Sequence, residues 1–249
     1  MNYNGLQASY WHSQISRVSA LRDKIAAKVP TQPGRVIPDD EDLAIGQGRR
    51  LQMAVLFLDI SGFTKRPSET EDEQAMLLKM LNLFFTEMIK IAEEYGGTVE
   101  KNTGDGLMAY FEDGISTPKG TGSKRAVACA LTMMAANEHL IKPILCATPV
   151  PEIEFRISID YGAVTIARLG AARRFNANVA IGATANFACK MLSFAQPGEI
   201  VIGAAVRDQL PPDWYQFTQH LPVTTGWNYR LTGLPYPLYL YTGRWNQLT

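Results

Sequence analysis

A short apolar run that ends in a carboxylate constrains this chain more than any other feature. Met53 to Leu58 has the length and content of a buried strand, and Asp59 closes it. A charged side chain is costly inside a core, so Asp59 marks the place where the strand leaves the core. Ile60-Ser61-Gly62-Phe63-Thr64 follows, and then a helix is expected from about Thr70 to Tyr95. Glu71, Asp72 and Glu73 fill its first turn, where they suit the helix dipole, and Gly96-Gly97 stops it.

Thr98 to Lys101 and Leu107 to Phe111 read as a hairpin, joined by Asn102-Thr103-Gly104-Asp105-Gly106, residues that tolerate positive φ. A second helix is expected over about Ser123 to Leu140, with Pro143 just beyond it. Glu154 to Asp160 alternates, and Ala163 to Leu169 is expected to pair back onto it through Tyr161-Gly162. A helix at about Thr184 to Phe194, a strand at Glu199 to Ile202, a short helix and two strands near Tyr215 to Leu221 and Tyr236 to Tyr241 complete the order. That order predicts an α+β fold of ferredoxin-like type, a mostly antiparallel sheet with helices on one face.

Residues 1–50 differ from the rest. Tyr10 to Ala27 carries Trp11, Ile15, Val18, Leu21 and Ile25 at helical spacing, and the Pro/Asp-rich stretch Pro30 to Asp42 reads as a linker or strap. The division expected is an N-terminal helical extension and linker over 1–50 and the main domain over 51–249.

Composition removes several function classes. Lys plus Arg and Asp plus Glu are 24 each, so no net basic field is available for a nucleic-acid backbone. No stretch has the length and apolar content of a membrane span, and Met1 to Ala20 lacks the apolar core of a signal peptide. Cys129, Cys146 and Cys189 are far apart and form no CxxC pair, which fits a reducing cytoplasm and argues against zinc. His12, His139 and His220 are scattered, and neither a GxSxG elbow nor a Walker loop is present.

Two aspartates carry the chemistry. Asp59 ends a strand and Asp105 sits at the tip of a Gly-flanked hairpin. If the first strand lies beside that hairpin, the two carboxylates converge on one edge of the sheet. With a neighbouring backbone carbonyl they suit hard cations, Mg²⁺ or Mn²⁺, which can activate a hydroxyl and clamp a phosphate. Backbone N–H groups of Ser61, Gly62, Phe63 and Thr64 are placed to meet phosphate oxygens.

Three segments in order resemble the class III adenylate and guanylate cyclases. Phe57-Leu58-Asp59-Ile60-Ser61-Gly62-Phe63-Thr64 is similar to their first metal-binding strand and phosphate loop. Gly96 to Gly106 is similar to their second metal-binding hairpin. Ile181 to Met191 is similar to the helix that contributes the transition-state pair. The resemblance runs from about Leu51 to Ile202, extends toward Tyr241, and does not reach the first fifty residues. It implies a head-to-tail homodimer with shared active sites and a nucleoside triphosphate as substrate. Two metal ions would be held by Asp59, Asp105 and the carbonyl of Ile60, and the product would be a 3′,5′-cyclic monophosphate. It assigns ribose positioning to Asn186 and α-phosphate stabilisation to Lys190, where the family usually has arginine. Arg230 is the stand-in for a triphosphate-tail lysine, with Arg173 and Arg174 as further candidates.

The base readout departs from the purine pattern. Lys101 occupies the position where adenylate cyclases use lysine and guanylate cyclases use glutamate. Val179 occupies the second base-reading position and offers no side-chain hydrogen bond. Phe57 either stacks near the base or packs in the core, and is assigned to the pocket. With this altered pocket and its stand-alone form, the chain resembles the pyrimidine cyclases of bacterial Pycsar anti-phage systems. That resemblance implies UTP over CTP as substrate, and a separate effector that senses the cyclic nucleotide. Adenylate cyclase, or a catalytically silent nucleotide-binding domain, are the alternatives.

Overall fold

The computed structural model describes residues 31–33, 43–44, 47–102, 104–114, 118–146, 152–172, 175–230 and 232–245. The expected helix Tyr10 to Ala27 lies outside them. Among the described residues nine strands form one mixed, mostly antiparallel sheet. The fold class is the α+β arrangement expected from the order of elements.

β2 (Gly48–Ile60) is the sheet's central strand, and its alternation builds both faces. Ala54, Leu56, Leu58 and Ile60 point to one core, and Leu51, Met53 and Val55 to the other. α1 (Glu71–Glu94) and α2 (Thr121–Ala136) seal the first face. α1 does so because Met80, Phe84 and Met88 recur every four residues, and all three are buried. Its start is fixed by a capping box: the Glu73 amide donates to Thr70 Oγ1 at 3.2 Å and the Thr70 amide to Glu73 Oε2 at 2.9 Å. α2 begins against the end of β4 (Gly106–Glu112). A Cβ on Gly122 would collide with the Phe111 carbonyl, so glycine is required there. Asp113 caps the helix, accepting at 3.0 Å from the amides of both Gly120 and Gly122.

The second face is covered by α4 (Ala183–Met191), a shorter helix packed through Ala185 and Ala188. Ser158 Oγ donates to the Ala188 carbonyl at 2.6 Å and ties the helix to the sheet. The α+β layering thus has its two long helices on one face and this short one opposite.

One expected connection is corrected. No turn forms at Tyr161-Gly162: β5 runs unbroken from Phe155 to Ala172. It pairs with β2 from Ile60↔Phe155 to Gly48↔Ala167, with Tyr161 opposite Ala54 and Gly162 opposite Met53. The 13-residue β2 gives the whole stretch a partner, so nothing drives the chain to fold back there. Gly162 is small because α4 sits over it; a Cβ would lie 2.6 Å from Thr184 Oγ1. The strand that does return along β5 is β6 (Phe175–Ile181), with Ala167 opposite Val179.

The remaining elements follow the expected order with shifted ends. The second helix passes through a π turn (Asn137–Ile141) into α3 (Lys142–Cys146), whose first turn tolerates Pro143. β3 (Thr98–Asn102) is an edge strand beside β4. β7 (Ile200–Gly203), the short α5 (Ala204–Arg207), β8 (Thr218–Leu221) and β9 (Leu238–Tyr241) fill the other side of the sheet. β1 (Thr31–Pro33) pairs with Gly48 to Arg50, so the expected division at 50/51 falls inside β2.

Candidate active site

The ends of β2 and β4 bring the two aspartates together. Asp59 lies opposite Gly106 in the ladder, and the Ile60 amide donates to the Asp105 carbonyl at 2.8 Å. The hairpin tip and the strand end are therefore one backbone-bonded unit. Both aspartates are half-buried.

The structure adds a partner that the sequence reading missed. Arg156 is the register neighbour of Asp59 on β5. Its Nε and Nη2 donate to Asp59 Oδ2 at 3.0 and 2.9 Å, and its Nη1 to the Ala195 carbonyl at 3.4 Å. Both bonds to the aspartate fall on one oxygen, so the carboxylate is oriented while Oδ1 stays outside the pair. Arg156, Ser158 and Asp160 are the polar half of the β5 alternation, and that pattern was the available signal.

Among the described residues no three His, Cys, Asp or Glu side chains cluster as a metal cage. Two carboxylates are what Mg²⁺-type sites commonly draw from a protein, with water and substrate phosphates completing the shell. The donor set fits such an ion. Ile60 suits its assigned part, since its side chain is buried in the core and only its carbonyl is available to a ligand.

In the phosphate loop, Gly62 has φ +67°, which favours glycine, and Phe63–Lys65 forms a 3₁₀ turn. The Ser61 amide is already committed to the Glu154 carbonyl at 2.8 Å, so it is not a phosphate donor. The Ser61 hydroxyl is buried and has no partner among the described residues. No described group accepts from the amides of Gly62, Phe63 or Thr64, which remain as donors.

A cleft of about 390 Å³ lies beside these strand ends, lined by Phe57, Asp59, Glu100, Gly106, Leu107, Met108, Val179, Ala180, Ala185, Asn186, Cys189 and other residues. It joins four residues expected for the site: Phe57, Asp59, Val179 and Asn186. Phe57 is half-buried, contacting the second core as well as the cleft. Asn186 and Lys190 are exposed, one turn apart on α4. Lys101 pairs with Met108 in register, and its side chain falls outside the described residues, as do Arg173 and Arg174. Arg230 is exposed on the loop closed by Tyr229 and Leu234 and does not line the cleft. A second cavity, of about 340 Å³, lies around Asn137, Lys142, Arg244 and Trp245 and holds none of the expected residues.

Residues 47–225 match the adenylate and guanylate cyclase catalytic domain. The chain belongs to that family. An adenylate cyclase of Anabaena cylindrica is 28% identical to this cyclase domain over 154 residues, 61% of this chain and 29% of that protein. An adenylate cyclase of Mycobacterium tuberculosis is 27% identical over 209 residues, 84% of this chain and 43% of that protein. The chain spans less than half the length of these curated relatives. The adenylyl cyclase CyaB from P. aeruginosa superposes with a TM-score of 0.65 at 24% identity, covering 82% of this chain and all of that one. It shows that the fold is shared. Among the described residues no helix is long and apolar enough to cross a membrane.

Proposed function

We propose that this cyclase domain converts a nucleoside triphosphate to its 3′,5′-cyclic monophosphate and pyrophosphate. The observation that carries the reading is the joining of Asp59 and Asp105 by the Ile60 amide, next to a cleft that also holds Asn186. The substrate 3′-oxygen forms the bond to the α-phosphorus, and the bond from that phosphorus to pyrophosphate breaks. Asp59, Asp105 and the Ile60 carbonyl would hold two divalent ions, which when bound would activate the 3′-hydroxyl and balance phosphate charge. Arg156 keeps the Asp59 carboxylate in one orientation. The Gly62, Phe63 and Thr64 amides meet phosphate oxygens. Asn186 positions the ribose, and Lys190 neutralises charge on the α-phosphate as a point cation rather than a planar fork. Arg230 serves the triphosphate tail only after the substrate or a second copy draws it in. The active form is a homodimer with shared sites, in which one copy brings the metal carboxylates and the other brings the base- and ribose-facing residues.

The substrate proposed is a pyrimidine triphosphate, UTP ahead of CTP, and the product a signal sensed by a separate effector in anti-phage defence. Its support is Val179, which lines the cleft without a group to read a purine edge. Adenylate cyclase activity is the second reading, favoured by the names of the relatives. Residues 1–50 are assigned to an extension that straps the dimer, and deletion that leaves dimerisation intact refutes the strap. Incubation with Mn²⁺ and each of ATP, GTP, CTP and UTP, with products identified by mass, tests the activity. A cyclic pyrimidine lost in Asp59→Ala supports the reading. Cyclic AMP supports the second reading. Tight nucleotide binding without pyrophosphate release leaves a binding domain.

A further inference from the structure

The phosphate loop is moored at both ends to one short strip of backbone. Just ahead of β5, the carbonyls of Glu152, Ile153 and Glu154 are each taken by a different part of the fold. The Glu154 carbonyl accepts from the Ser61 amide at 2.8 Å, at the start of the loop. The Glu152 carbonyl accepts from Arg66 Nη2 at 2.6 Å, at its end. Between them the Ile153 carbonyl accepts from Asn137 Nδ2 at 3.0 Å. Ile153 and Asn137 are buried, so the strip is fixed from behind by the core and by the residue that opens the π turn. Arg66 also reaches α1, with Nη1 donating to Met80 Sδ at 3.4 Å. Gly62, Phe63 and Thr64 lie between the two moorings. Within the loop the Lys65 amide donates to the Gly62 carbonyl at 3.1 Å, and the Arg66 amide to the Phe63 carbonyl at 3.0 Å.

We infer that Arg66 is a positioning residue for the triphosphate: it holds the far end of the loop so that the Gly62, Phe63 and Thr64 amides stay aimed at the phosphates. Ser61 follows β2 directly, so the sheet sets its place. The other end of the loop runs into residues 66–70, which belong to neither helix nor strand, and there a side-chain tether takes the place of a ladder. Amides bind an anion best when they converge before it arrives, because ordering them on binding subtracts from affinity. A guanidinium suits the tether, since it stays charged and its planar fork can serve the Glu152 carbonyl and α1 at once. This inference rests on the nucleotide-site reading above and adds to it a residue that touches the loop rather than the substrate.

The test compares the full chain with Arg66→Met, which keeps an apolar stem but no guanidinium, and with Arg66→Lys, which can still donate to the Glu152 carbonyl. Hydrogen exchange of residues 61–66 is followed without nucleotide. Binding of the Mn²⁺ complexes of α,β-methylene-UTP and α,β-methylene-ATP is followed by calorimetry, so that turnover is not needed. In Arg66→Met the segment should exchange about tenfold faster and the better-bound analogue should bind about tenfold more weakly, as when one hydrogen bond from a charged donor is lost. Exchange in β4 and the melting temperature should not move, and Arg66→Lys should regain most of both losses. Weaker binding with unchanged loop exchange means that Arg66 meets the phosphate itself, and overturns the positioning role. Faster loop exchange with unchanged affinity overturns the link to the triphosphate and leaves the nucleotide-site reading standing. Faster exchange along the whole chain, or a lower melting temperature, makes Arg66 a support of the fold at large and also overturns the inference. A wild type that binds neither analogue overturns the nucleotide-site reading, and the inference with it.

Discussion

The two faces of the central sheet are built on opposite principles. Under α1 and α2 lies one large apolar core, with Phe84, Phe111 and Phe155 fully buried and Phe84 in edge contact with Phe85 and Phe155. Over the other face the apolar groups split into two smaller clusters, interleaved with buried Ser158, Asp160 and Thr184, and the cleft opens there. The same strands serve both, because alternation sends successive side chains to opposite sides. One face stores stability; the other is left incompletely packed, which is what a ligand site requires.

Substitutions on the two faces should therefore separate activity from stability. The largest contrast is Asp59→Ala: turnover falls by more than about a thousandfold, as expected when the charge-stabilising centre of a phosphoryl site is lost. Its melting temperature stays near wild type or rises, and a cooperative loss of structure by circular dichroism would break the contrast. Phe84→Ala should do the reverse, with a loss of about 3–5 kcal/mol in urea unfolding because a fully packed aromatic is removed. Residual folded protein keeps its nucleotide affinity.

Arg156→Ala comes next. The Asp59 carboxylate loses its orientation, so the Mn²⁺ concentration for half-maximal activity rises by about tenfold while that of nucleotide changes less. Equal changes in both, from metal and nucleotide titrations, would show that Arg156 does not act through Asp59.

Asp160 gives a pH signature. Burial pushes its carboxyl up to about 7, against the lowering effect of the hydrogen bond donated at 2.6 Å by the Tyr236 hydroxyl. The folded state therefore holds a proton that the unfolded chain releases near pH 4. Its contribution to stability is full at low pH and is lost as pH rises through about 7. Asp160→Asn should flatten the dependence of unfolding free energy on pH between about 4 and 7. The smallest effect expected is Thr70→Ala, a loss of about 1 kcal/mol from the capping box with unchanged turnover. A larger loss would mean that the start of α1 supports the site face as well.

Much of the first face was legible. The four-residue spacing in α1, its acidic first turn and the Gly96-Gly97 stop are local signals, and the helix formed within a residue of the expected limits. Asp59 and Asp105 were legible for the same reason, since a carboxylate after an apolar run and an Asp-Gly in a tight turn declare themselves without a partner. The second face was less so. Tyr161-Gly162 looks like a turn in one dimension, yet β2 holds it extended and α4 explains its glycine. Arg156 stands in the polar half of the β5 alternation, but its pairing with Asp59 comes only from strand register.

The sequence by itself determined the order of elements, which of their faces are apolar, and the two aspartates at strand ends. These follow from periods of 3.6 and 2 and from turn chemistry, which act over a few residues. Only the tertiary structure decided that Asp105 bonds to Ile60, that Arg156 orients Asp59, and that Phe57, Glu100, Val179 and Asn186 share one cleft. Those relations depend on strand register and on the packing of α4, which join residues far apart in the chain, 97 positions in the Arg156–Asp59 pair, and the pairing itself leaves no trace in local pattern.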